Sequence, residues 1–84
     1  MNVKFIAKVV GEIEKHIGKS LTILQISKKS GLSYNAAYRT VQFLEKEKVV
    51  EIEKIGPSIV VKLNYSPRTQ GFIAVAQSYE NEEE

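Results

Sequence analysis

The sequence has no cysteine, no tryptophan and a single histidine, His16; all ten of its acidic residues are glutamates, so aspartate is absent as well. Without cysteine there is neither a disulfide framework nor a thiolate metal site. His16 has no second histidine, cysteine or aspartate to join it as a metal ligand or to orient it as a base. Outside the C-terminal run the glutamates come as Glu12/Glu14, Glu45/Glu47 and Glu51/Glu53, each two apart. On a helix that spacing puts a pair on different faces, and on a strand Glu51 and Glu53 share one, expected to be the wet one. No glycine-rich phosphate loop is present. This inventory predicts a chain with no catalytic residue, no cofactor and no metal. Long apolar runs are missing too: the longest, Phe72 to Ala76, has five residues, against the roughly 20 that span a bilayer. No basic start followed by an apolar block and a cleavage site is visible. The expectation is a soluble cytoplasmic domain with no membrane association. The chain of 84 residues has room for one small core, and about 40% of its unfolded surface stays exposed after folding.

What is present is unevenly placed charge. Twelve Lys and Arg against ten Glu give +2, but four of the glutamates are Glu80, Glu82, Glu83 and Glu84. Residues 1–79 therefore carry 12 positive and 6 negative charges, or +6. Between Glu14 and Glu45 there are thirty residues without an acid, holding Lys15, Lys19, Lys28, Lys29 and Arg39. A basic block of this kind fits a phosphate-backbone binder and fits a solvated face equally well.

Periodicity divides the chain into elements. Ile6, Val9, Val10, Ile13 and Ile17 recur at helical spacing and predict a helix over 3–17, with Gly18 as its cap. Residues 19–22 read as a connector. Thr22 and Gln25 have the form of a capping box, so a short helix starts after Thr22, anchored by Ile26 and by Leu24 or Ile23, and Gly31 stops it. Ser33 then caps a helix reaching about residue 47, with Ala37, Val41 and Leu44 on its buried face. Phe43 falls off that face and is expected to pack under the hairpin or the last helix. From Val49 the period becomes two: Val50 and Ile52 alternate with Glu51 and Glu53, and Ile59, Val61 and Leu63 with Val60, Lys62 and Asn64. The segment Ile55-Gly56-Pro57-Ser58 between them is a hairpin turn. Ser66-Pro67 opens a last helix over 67–79, where Phe72, Val75, Ala76 and Tyr79 share a face. Residues 1–79 are thus expected to form one domain, and 80–84 a flexible acidic tail, because glutamates oppose the negative end of the helix dipole.

Two helices around a tight turn, followed by a hairpin, form the order of a winged helix-turn-helix. Residues 21–33 (LTILQISKKSGLS) resemble the positioning helix and turn of that family, and residues 36–50 (AAYRTVQFLEKEKVV) its recognition helix running into the wing. The likeness spans about 3–64 and is close in pattern to small MarR- and ArsR-like prokaryotic or archaeal transcription regulators. It implies an α+β, mostly helical fold: three helices, a β-hairpin wing and an added C-terminal helix. Two departures stand out. Lys48 occupies a position often held by glycine in the family, where a left-handed residue costs on the order of 1 kcal/mol. The wing is short, with Lys54 as the one base near its tip.

The resemblance implies double-stranded DNA as partner, with the helix at 33–47 in the major groove. Asn35 and Gln42 suit adenine, and Arg39 suits guanine. Tyr34 and Tyr38 have rings suited to a thymine methyl and hydroxyls suited to phosphate. Lys28, Lys29 and the backbone N–H of Ser33 suit phosphates, and Lys54 is the candidate wing contact. The expected function is a sequence-specific transcriptional regulator. The alternatives are a winged helix that binds protein and a nonspecific architectural DNA binder. A homodimer is expected through Phe5, Phe72, Ile73, Val75, Ala76 and Tyr79, with the last helix folding back on its own domain as the competing arrangement.

Overall fold

A computed structural model describes residues 2–83, with side chains through Asn81. The order is α1 (Val3–Lys15), β1 (Ser20–Thr22), α2 (Ile23–Ser30), α3 (Tyr34–Lys46), β2 (Val50–Ile55), β3 (Ser58–Leu63) and α4 (Pro67–Glu83). The sheet is antiparallel in the order β1-β3-β2.

Asn2 caps α1, its Oδ1 accepting from the N–H of Lys4 at 2.8 Å. Ile6, Val9, Val10 and Ile13 turn into the core as their spacing requires. The helix ends two residues earlier than its apolar pattern suggested, and Ile17 is 95% exposed. Gly18 does not cap it: Gly18 and Lys19 both take positive φ, +89° and +55°, and swing the chain into β1. Lys19 is held there by Glu14, whose carboxylate lies 2.8 Å from its ammonium and raises its pKa above the ordinary lysine value.

The expected connector at 19–22 contains strand β1. Leu21, buried, faces Val61 of β3, and Ser20 and Thr22 face Lys62 and Val60 on the outer side. In the hairpin, Val50 lies across from Leu63 and Ile52 across from Val61 on the core side, with Glu51 across from Lys62 and Glu53 across from Val60 outside. Gly56 at φ +59° followed by Pro57 makes a two-residue turn between Ile55 and Ser58.

At the end of α3, Lys48 has φ +62°. Its N–H donates to the carbonyl of Glu45 (3.0 Å), and the N–H of Val49 donates to that of Leu44 (2.9 Å). This is a Schellman motif with lysine in the glycine position. Leu44 and Val49, which flank it, are both fully buried. Phe43 is partly buried against the same core.

Ser66 caps α4 by accepting from the N–H of Thr69 at 3.2 Å, and the buried Thr69 hydroxyl donates to the carbonyl of Asn64. Arg68 donates to Glu47 at 2.7 Å, tying the start of α4 to the end of α3. The helix does not stop at Tyr79 but continues to Glu83. Glu80 belongs to it and lies 3.1 Å from Lys15 of α1, so an attractive partner offsets the dipole penalty there. A residue counted as tail is therefore part of the packed structure. Where α4 lies against α1 at Gly11, a Cβ would stand 3.9 Å from that of Ala76, an ordinary contact, and 3.1 Å from the movable Glu80 Oε1.

Because α4 lies on α1, Ile73 and Ala76, expected at an interface between chains, are buried within one chain. The competing arrangement, in which the helix folds back, is the one observed. Phe72 and Tyr79 are partly buried beside them, and Val75 is exposed.

Candidate nucleic-acid interface

The two helices expected to meet DNA are joined by a turn whose polar groups are satisfied internally. Thr22 Oγ1 accepts from the N–H of Gln25 (3.1 Å), and Gln25 Oε1 accepts from the N–H of Thr22 (2.9 Å), completing the capping box of α2. Of the two candidates for its anchor, Ile23 is buried and Leu24 is exposed. Gly31 ends the helix at φ +77°, its N–H donating to the carbonyl of Ser27 at 3.0 Å. Ser33 caps α3, accepting from the N–H of Ala36 at 3.1 Å. Two serines that sequence reasoning passed over brace the turn: Ser27 Oγ donates to the carbonyl of Leu32 (2.7 Å), and Ser30 Oγ accepts from the N–H of Leu32 (3.2 Å). Serine hydroxyls commonly replace missing backbone partners at helix ends, which was the available signal.

Ala37, Thr40, Val41 and Leu44 anchor α3 in the core. At 100° per residue, Tyr34, Tyr38, Gln42, Asn35 and Arg39 then fall, in that angular order, across about 140° of the opposite side. Tyr34, Asn35, Arg39 and Gln42 are exposed and Tyr38 is half-buried. The structure thus brings all five predicted reading residues of α3 onto one face. Arg39 forms no ion pair among the described residues, which leaves its guanidinium free for an external acceptor. The rings of Tyr34 and Tyr38 stack on each other, with centroids 6.3 Å apart and planes at 25°.

Lys28 and Lys29 are exposed in the last turn of α2. The Ser33 hydroxyl is engaged in capping. Lys54 is exposed on β2 across from Ile59, on the opposite side of the wing from Glu51 and Glu53.

Phe5, at the start of α1, is partly buried. With Asn2 it borders an open hollow of about 360 Å³ whose other walls are Ser33, Asn35, Ala36, Arg39 and Thr40. The start of α1 is therefore beside the exposed face of α3, and Phe5 borders that hollow. Periodicity on α1 alone carried no sign of this placement.

No family model matches the sequence, and no curated protein matches it. Solved structures do match its shape. Sso10a-2, a DNA-binding protein from Sulfolobus solfataricus, superposes with a TM-score of 0.75 over 99% of this chain and 81% of its own, at 10% identity. MepR, a transcription regulator of the Staphylococcus aureus multidrug efflux pump MepA, gives 0.71 over 94% of this chain and 58% of its own, at 15% identity. A MarR mutant from E. coli complexed with operator DNA gives 0.67 over 87% and 51%, at 17% identity. The fold is a winged helix-turn-helix. In this fold α2 and α3 are the two helices of the helix-turn-helix and β2–β3 the wing. The chain spans about half to three fifths of the two regulators' length and about four fifths of Sso10a-2. No helix among the described residues is long and apolar enough to cross a membrane.

Proposed function

We propose that this winged helix is a sequence-specific, double-stranded DNA-binding transcriptional regulator of the cytoplasm, with α3 in the major groove. The observation that carries this reading is the exposed face of α3. Two amides, one free guanidinium and two aromatic rings sit together on a helix whose turn is braced from within. Such a face offers donors, acceptors and apolar surface of the kinds that base edges in the major groove pair with. Lys28 and Lys29 contact phosphates, which hold the register of the helix without specifying sequence. Lys54 is the wing's contribution. Similarity in fold to a MarR mutant complexed with operator DNA supports the same reading.

The regulator acts as a homodimer through the outer edge of α4. Phe72, Val75 and Tyr79 keep apolar surface there after Ile73 and Ala76 have been used within the chain. A twofold axis sets the two recognition helices about 34 Å apart, so the site is a near-palindrome.

Selection of bound duplexes from a random pool tests the function. The expected result is one preferred, near-palindromic sequence bound at least about 1,000-fold more tightly than random DNA. Equal affinity for all duplexes, with a steep salt dependence, would sink sequence-specific regulation in favour of architectural binding. Sedimentation at micromolar concentration tests the dimer: a clean 9.5 kDa species rejects it, and with it the palindrome.

A further inference from the structure

The exposed face of α3 is divided between two chemistries. Asn35, Gln42 and Arg39 occupy one side, and the rings of Tyr34 and Tyr38 the other. Those rings are not independent. Stacked at 6.3 Å and 25°, each covers part of its neighbour and restricts the neighbour's rotamers before any ligand arrives, which removes part of the ordering cost of binding. What is left is one apolar wall about a helical turn long. It lies at the N-terminal end of the recognition helix, where residues of helix-turn-helix proteins reach base edges.

The base edges of the major groove present donors and acceptors, with one exception. The C5-methyl group of thymine is apolar. A phosphate contact, the other use open to a tyrosine, needs only a hydroxyl and is indifferent to how the rings are arranged. We infer that the Tyr34–Tyr38 pair reads the C5-methyl group of a pyrimidine in the major groove. This deepens the function proposed above and rests on it. Thymine and 5-methylcytosine present the same methyl at the same place. The pair therefore accepts a methylated cytosine where it accepts thymine, and discriminates against uracil and unmodified cytosine through the loss of buried apolar surface. Burial of one methyl is worth about four-fold in affinity.

The test uses the full chain and a duplex recovered by selection. Each thymine is replaced in turn by deoxyuridine, which removes only the methyl. One or two positions are expected to lose about four-fold in affinity, and the others nothing. At those positions a 5-methylcytosine–guanine pair should bind about four-fold better than a cytosine–guanine pair. Tyr34→Phe should preserve the ratio between thymine and deoxyuridine. Tyr34→Ala, a substitution at an exposed position whose folding is checked by circular dichroism, should bring that ratio to one. The inference is overturned if Tyr34→Phe loses as much affinity as Tyr34→Ala, which would assign the hydroxyl rather than the ring. It is equally overturned if the ratio survives both Tyr34→Ala and Tyr38→Ala. A preferred duplex with no thymine, or whose thymines all tolerate deoxyuridine, overturns the methyl reading alone. A pool with no preferred duplex overturns the regulator function as well.

Discussion

The side-chain amide of Asn64 donates to the carbonyl of Lys48 at 3.1 Å, bracing from β3's end a lysine held in the left-handed region at φ +62°. That conformation costs an L-residue on the order of 1 kcal/mol and glycine almost nothing. Lys48→Gly is therefore expected to stabilise the fold by about 1 kcal/mol, seen as a higher urea midpoint with unchanged slope. Lys48→Ala keeps the strain and should move the midpoint little; a gain as large as glycine's would remove backbone strain as the cause.

Gly31 and Gly11 are expected to respond oppositely to alanine. Gly31 has φ +77° and open space around it, so Gly31→Ala meets only backbone strain and should cost about 1 kcal/mol. Gly11 is helical, where alanine is favoured by roughly 0.5–1 kcal/mol. Its added Cβ meets the movable end of Glu80 at 3.1 Å and Ala76 at 3.9 Å. Gly11→Ala should therefore be neutral or stabilising, whereas Gly11→Leu should separate α1 from α4 and lower the melting temperature.

Arg39→Ala should cost about 1–3 kcal/mol of binding to the preferred duplex and relax preference at one base pair. Lys28→Ala and Lys29→Ala should weaken all duplexes alike and each reduce the salt slope by about one. The difference follows from position, mid-recognition helix against the end of the positioning helix. Fluorescence anisotropy over a salt series on selected and random DNA separates the two; equal loss on both for Arg39→Ala would make it a phosphate contact.

Glu80 raises the pKa of Lys15 above the ordinary lysine value, mainly by accepting its hydrogen bond, with Glu12 adding to the effect and desolvation opposing it. A raised lysine contributes stability that is fully present below its unfolded value of 10.5 and is lost as the pH climbs through its folded value. Wild type should thus exceed Glu80→Gln by a constant margin from neutral pH to about 10, and the margin should close above 10.5. Both partners are about half exposed, so the margin should stay below about 1 kcal/mol. Removing residues 80–84 should cost no more than that and should tighten nonspecific DNA binding, because four negative charges leave. A margin that grows at alkaline pH would contradict the pairing.

Local chemistry determined much of this protein from sequence alone. The capping box at Thr22 and Gln25, the Ser33 cap, the stop at Gly31 and the turn at Gly56-Pro57 each involve groups within about four residues of one another. Their hydrogen bonds exist only if the local structure does, so the helix-turn-helix and wing were legible, as were the residues on the exposed face of α3. Tertiary structure decided what depends on distant partners. β1 is three residues long and is a strand because β3 supplies the ladder. Ile17 continues an apolar pattern yet stays in solvent, because the chain must turn at Gly18 and Lys19 to reach that ladder. Ile73 and Ala76 are core because α4 packs on α1, at the other end of the chain.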